Sequence, residues 1–228
     1  MRPYRILALC LCWLLPAAAG PAGAAGTKGV IPWYEVEILL FARNGATAGQ
    51  EQTWPEDPGT PDWEGAWQVS EAPYRQGNYQ LLPRARWRLD REARTLKRKG
   101  GFQPLIHRAW RQPVLSRKRA HPVHLRSRQT TADGTPEMEG LVRVSVARYL
   151  HLDLDFLLRR PPLPGMEEKA GQTFTPGTVR DYRFTAHRRM RSGELHYIDH
   201  PLMGALVLIT PVEQAEKAAD SGDEAGDG

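Results

Sequence analysis

The stretch VRVSVARYLHLDLDFLL, Val142–Leu158, decides how this chain is read. Val142, Val144, Val146, Leu150, Leu152, Leu154, Phe156 and Leu158 all occupy even positions, broken only by Arg148. Arg143, Ser145, His151, Asp153 and Asp155 alternate with them. A period of two puts one set on a buried sheet face and the other toward solvent. At about 3.3 Å per residue an unbroken run would reach roughly 55 Å, well past the usual strand of about 5 to 6 residues. The expectation is one strongly bent strand with a bulge or kink near Arg148 and Tyr149.

Upstream, WYEVEILLFA from Trp33 to Ala42 opens the fold as a strand: Tyr34, Val36, Ile38, Leu40 and Ala42 share one face, while Glu35 and Glu37 face solvent at its start. Asn44 to Asn78 is a long Gly/Pro-rich loop holding Trp54, Trp63 and Trp67, tryptophans that should fold back over something apolar. Leu82, Ala85, Leu89, Ala93 and Leu96 recur at helical steps between Pro83 and Gly100-Gly101, predicting one main amphipathic helix whose outer face carries Arg84, Arg88, Arg91 and Arg94. PLIHRAWRQPV follows as a short strand, with His107 and Trp110 on opposite sides and Pro113 at its end. Downstream, Tyr182, Phe184, Ala186 and Met190 share a strand face, and ALVLI, Ala205–Ile209, reads as a central strand. The order strand, helix, strand, long strand, strand, strand gives an α+β domain: a mostly antiparallel sheet of about five strands with the helix packed on it. If the first strand-helix-strand unit is a right-handed crossover, the arrangement is ferredoxin-like.

Residues 1–25 read as an export leader, with Arg2 and Arg5, an apolar run from Ile6 to Leu15, and small residues around Ala22-Gly23-Ala24. Pro16 cuts the run short of the roughly 18 residues a membrane span needs, so no transmembrane anchor is expected in the mature chain. Both cysteines, Cys10 and Cys12, fall within the leader, leaving the body without disulfide or thiol chemistry. Residues 26–212 then form one domain, and 213–228 an acidic tail that lacks apolar anchors and is expected to be disordered. The formal charge is +5; with two leader arginines and a tail of net −5 set aside, the body carries +8. A basic exported body implies anionic partners: stem-peptide carboxylates of the wall, lipopolysaccharide phosphates, or an acidic protein, with nucleic acid excluded by compartment. An arginine-rich composition inherited from a GC-rich genome is the plainer alternative.

SGELHYIDHPLMG, Ser192–Gly204, places His196, Asp199 and His200 at i, i+3 and i+4. Two histidines at i and i+4 ligate zinc from a helix in H-E-x-x-H sites. Here Pro201 pushes His200 out of the helical region, and Tyr197 stands where the catalytic glutamate would be. A structural corner between two strands fits better, with Tyr197, Ile198 and Leu202 packed inward and no metal. His121 and His124 lie in a basic loop, and Asp153 and Asp155 fit exposed-face alternation. No serine elbow, cysteine nucleophile or phosphate loop is present, so neither catalytic residues nor a cofactor are assigned. Candidate binding residues are Arg84, Arg88, Arg91 and Arg94, for carboxylates, and Trp54, Trp63 and Trp67, for sugar faces.

WYEVEILLFAR, WPEDPGTPDW, HRAWRQP, GLVRVSVARYLHLDLDFLL and above all RRMRSGELHYIDHPLMGALV together span most of Trp33 to Val207. On these motifs the chain resembles the CsiV family of exported bacterial peptidoglycan-binding proteins. The resemblance implies a periplasmic, non-enzymatic protein of a Gram-negative cell that associates with peptidoglycan and supports wall assembly. In the family's namesake this works through an outer-membrane lipoprotein activator of a class A penicillin-binding protein. Two alternatives stay open: a protein-protein module with no direct wall contact, and a metal-dependent wall hydrolase built on His196, Asp199 and His200.

Overall fold

A computed structural model describes residues 31–44, 52–68, 75–76, 79–164, 174–175 and 177–212. The segments read as a leader and an acidic tail, and parts of the stretches 45–78 and 165–176, lie outside the described residues, which belong to one compact unit beginning at Ile31.

The even-position run is not one bent strand. It is a hairpin of β7 (Met138–Val146) and β8 (Leu150–Arg160), with Val146 opposite Leu150 and Ala147 to Tyr149 as the turn. Residues directly opposite in an antiparallel pair point the same way, and a three-residue turn preserves parity. The alternation therefore passes through the turn unbroken. β9 (Arg180–Met190) pairs with β8 in the same manner, so Leu154 meets Ala186 and Phe156 meets Phe184. β6 (Val123–Arg126) flanks β7, and the two-residue β2 (Trp67–Gln68) adds to β6 in parallel, completing a five-stranded sheet in the order β2-β6-β7-β8-β9.

The second sheet is built around β1 (Trp33–Arg43), which lies between β11 (Met203–Pro211) and β5 (Phe102–Pro113), antiparallel to both. β10 (Leu195–Asp199) extends it beyond β11; β4 (Tyr79–Leu81) and the short β3 (Arg75–Gln76) extend it beyond β5. Leu105 is the extra residue where the β1–β5 register shifts. Val36, Ile38 and Leu40, Leu152 to Leu158 at even positions, Tyr182, Phe184, Ala205, Val207 and Ile209 share one buried cluster between the sheets. The architecture is a β-sandwich.

The expected α+β fold, with a main helix and a ferredoxin-like crossover, is therefore corrected. Strands hold 51 % of the described residues and helices 8 %, so the chain is essentially all-β. β1 and β5 are antiparallel neighbours and leave no parallel crossover. The helix shrinks to α1, Asp90–Lys99, preceded by a single 3-10 turn at Arg84–Arg86. Trp87 is extended at φ −77° and ψ 135°, breaking the continuous helix its periodicity suggested. None of α1's ten residues is buried; it is held through the buried Leu89 immediately before it. Among the described residues no helix is long and apolar enough to cross a membrane.

Gly204 shows why the HPLMG segment needs its glycine. A Cβ there would lie 2.4 Å from the Phe41 ring, which covers the strand between Phe102 and Tyr197.

Candidate functional site

The outer face of the β1 sheet should be wet by the pattern of its glutamates, yet Glu35 and Glu37 are 8 % and 5 % exposed. A buried carboxylate persists only when paired and hydrogen-bonded. Glu35 Oε1 accepts from Arg86 at 2.6 Å and Arg111 at 3.0 Å, and its other oxygen accepts from Arg88 at 3.4 Å. Glu37 accepts from the backbone N–H groups of Arg88 (2.6 Å) and Leu89 (2.9 Å) and from His107 Nε2 (2.7 Å). It thus places a negative charge where the N–H groups at the start of α1 converge. These contacts pull Arg86 and Arg88 toward the sheet from either side of Trp87, consistent with the helix starting late. His107 is accordingly a link between sheet and helix, and Trp110 is a core residue whose indole donates to Gln112 at 2.6 Å.

Beside this anchor lies a groove of about 580 Å³. β4 covers the edge of β5 only at Trp110 and Arg111, so the stretch from Pro104 to Arg108 forms one wall. Leu81 and Leu105 add apolar surface, Trp87 contributes its indole, and Arg84, Arg108 and Arg128 supply the charge. Trp87 is rigid: its Nε1–H donates to Leu82 O at 3.0 Å, and its ring meets His107 edge-on at 4.5 Å. Arg84 stacks over it at 4.2 Å and pairs with Asp90 at 2.7 Å. An indole capped by one guanidinium, set among apolar side chains with Arg108 and Arg128 in the same groove, can hold a ligand that is part apolar and part anionic.

Of the sequence candidates, Arg84 lines this groove and Arg88 is committed to Glu35 and, at 3.0 Å, Thr210. Arg91 and Arg94 project from α1, and neither guanidinium has a partner among the described residues. The tryptophans are elsewhere, on a segment (residues 52–68) that straps the other sheet. Trp54 seals one open side of the sandwich against Tyr182 (5.3 Å) and His200 (5.5 Å), and Trp67 seals the opposite side against Tyr79 (6.1 Å). Trp63 keeps an exposed face while covering His124 at 4.8 Å; burial holds the His124 imidazole below its ordinary pKa. The arginines and tryptophans thus do not form one surface. Trp87, Arg108 and Arg128 were missed, although a tryptophan flanked by arginines on a nominally wet helix face was a visible signal.

His196, Asp199 and His200 do not converge. His196 Nε2 accepts the Arg191 N–H at 3.3 Å, and Asp199 pairs with Arg43 and Tyr197 on the outer face of the edge strand β10. His200 turns the other way, between Trp54 and Phe184, its Nδ1 accepting the Leu202 N–H at 3.3 Å. Burial, with Arg43 nearby, pushes the His200 pKa down to about 4 against the opposing pull of Asp199. Ile198 and Leu202 pack inward as expected, but Tyr197 faces out and stacks on Phe41. Among the described residues no group of three His, Cys, Asp or Glu is placed to hold a metal ion.

The family model for the CsiV peptidoglycan-binding protein matches residues 6–212. No curated protein and no solved structure matches the chain. The match covers both sheets, the groove and the HYIDHPLMG corner, and the chain belongs to the CsiV family of peptidoglycan-binding proteins.

Proposed function

We propose that this chain binds peptidoglycan directly, in the periplasm of a Gram-negative cell, through the Trp87 groove, and that it makes and breaks no bond. The observation that carries this is the groove's mixed wall. The indole and the apolar surface of Leu81 and Leu105 suit the apolar face of a sugar ring, and Arg84, Arg108 and Arg128 suit stem-peptide carboxylates. Because Trp87 is already fixed, little ordering opposes binding. Each exposed ion pair contributes only about 0–1 kcal/mol, so retention on the wall comes from repeated contacts on a polymer and weakens with salt.

Arg91 and Arg94, without partners among the described residues and continued by Lys97, Arg98 and Lys99, favour a second role for α1: an adaptor surface for an acidic partner. We take that partner to be a lipoprotein activator of a class A penicillin-binding protein. Sedimentation with purified sacculi across a salt titration tests the primary proposal. Retention at low salt that falls as ionic strength rises is expected. Absence from the pellet at low salt, or release of muropeptides by the purified chain, would overturn it.

A further inference from the structure

The outer face of the other sheet carries a second concavity, of about 440 Å³. Arg143, Asp153, Thr185 and His187 lie on its floor, and Asp62 of the strap and Pro122 stand at its wall. Arg143 and Asp153 are direct partners in the β7–β8 register, which brings their Cβ atoms to about 5 Å. They are nonetheless not bonded to each other.

Asp153 Oδ1 accepts from Arg117 at 2.9 Å and from His187 Nδ1 at 2.7 Å, and His187 Nε2 lies 3.3 Å from His151 Nδ1. Its other oxygen, Asp153 Oδ2, is closed to solvent and has no partner among the described residues. Arg143 Nε is likewise closed off and unpartnered among the described residues. The neighbouring Asp155 is engaged with Arg183, each of its oxygens accepting from that guanidinium at 2.8 Å. An orphaned donor on a cation and an orphaned acceptor on an anion, side by side, each cost roughly 1–3 kcal/mol unless something supplies what they lack.

We infer that this cleft binds a free α-amino acid end, an ammonium and a carboxylate on one carbon. The carboxylate takes Arg143, and the ammonium takes the free oxygen of Asp153 with Asp62 at the rim. Both atoms are covered, so binding requires the partly buried Arg143 side chain to shift. A plain anion such as phosphate would meet Asp62, Asp153 and Asp155, and a plain amine would meet Arg143; only a group carrying both charges matches the lining. Resting on the peptidoglycan reading, the ligand is the distal end of a diamino acid in a stem peptide. That end is free on every stem whose distal amine has not been acylated in a cross-link, so the cleft distinguishes those stems from acceptor stems.

The test is calorimetric titration of the exported chain with three stem tripeptides. One ends in diaminopimelate, one has its distal amine acetylated, and one carries lysine, which lacks the distal carboxylate. The first should bind saturably, and the other two about tenfold or more weakly, as the absence of one charge-assisted hydrogen bond requires. Asp153→Asn, which keeps Oδ1 but replaces the free acceptor with a donor, should lose the preference for the free amine. Arg143→Gln should lose the preference for the carboxylate. Asp62→Asn on the strap supplies a third variant if either strand substitution unfolds the chain. Equal binding of all three peptides, no binding of the first, or an unchanged preference in folded variants would overturn the inference. Retention on sacculi without tripeptide binding sinks the cleft alone; tripeptide binding without retention sinks the wall reading and leaves the cleft with another amino-acid-bearing ligand.

Discussion

Replacing Glu37 with alanine should detach α1 from the sheet. The carboxylate is 5 % exposed and accepts three hydrogen bonds, two of them from the backbone N–H groups of Arg88 and Leu89 that lead into the helix. Each donor left without an acceptor costs about 1–3 kcal/mol, and removing one member of a buried charged cluster costs about 3–5 kcal/mol in total. In a chain of this size 1 kcal/mol shifts the melting midpoint by about 2–4 °C, so Glu37→Ala should melt about 6–20 °C lower. Glu37→Gln fills the same volume but turns an amide donor toward an N–H, so it should fall between alanine and the parent. Thermal unfolding gives the midpoints, and hydrogen exchange over residues 84–99 reports whether the amides of Arg88 and Leu89 lose protection. A midpoint within about 2 °C of the parent, with those amides still protected, would refute the anchoring role.

Three further outcomes follow from the packing. His200 has a folded pKa of about 4 against an ordinary 6.5; the unfolded chain therefore binds the proton first, and stability present above pH 6.5 is lost as pH falls toward 4, by about 3 kcal/mol at most. Urea midpoints at pH 7 and pH 5 in the parent and in His200→Phe check this: the parent should lose more between the two, and equal losses would contradict it. Gly204→Ala should cost about 1–3 kcal/mol by displacing the Phe41 ring. Gly140→Ala should cost more, because its Cβ would meet the backbone of β8, at 2.3 Å from Asp155 O; the reverse order of melting points would contradict the packing. Charge reversal at Arg91 and Arg94 should abolish capture of an acidic partner after cross-linking and leave the melting midpoint within about 2 °C of the parent; capture that survives would remove α1 as the adaptor surface.

Inward and outward faces were legible along β7, β8 and β9 and the inward face along β1, because period-two alternation survives whatever joins the strands. For the same reason the sequence could not separate a bent strand from a hairpin at Ala147 to Tyr149, and the sheet count followed that error. Glu35 and Glu37 looked wet because a charge on a strand usually is; their arginine and histidine partners come from positions 86, 88, 107 and 111, which no local pattern connects to them. Helical spacing over Leu82 to Leu96 was real, but the demand of those carboxylates for Arg86, Arg88 and two backbone N–H groups overrode it in the first half. His196, Asp199 and His200 lie within five residues of one another and yet point to different sides of the sheet. Their spacing conveyed proximity and not direction. The groove was hidden because Trp87 falls inside the stretch whose spacing predicted a helix, where it drew no reading of its own.

The most direct test of wall binding through the Trp87 groove compares sacculus affinity in two tryptophan variants. Trp87→Ala should weaken retention on purified sacculi by about tenfold, the worth of one stacked sugar ring together with the arginine resting on the indole. Trp63→Ala, which removes the exposed indole on the opposite sheet, should stay within about twofold of the parent. Parent-like retention in Trp87→Ala would remove the groove from wall binding and contradict the account.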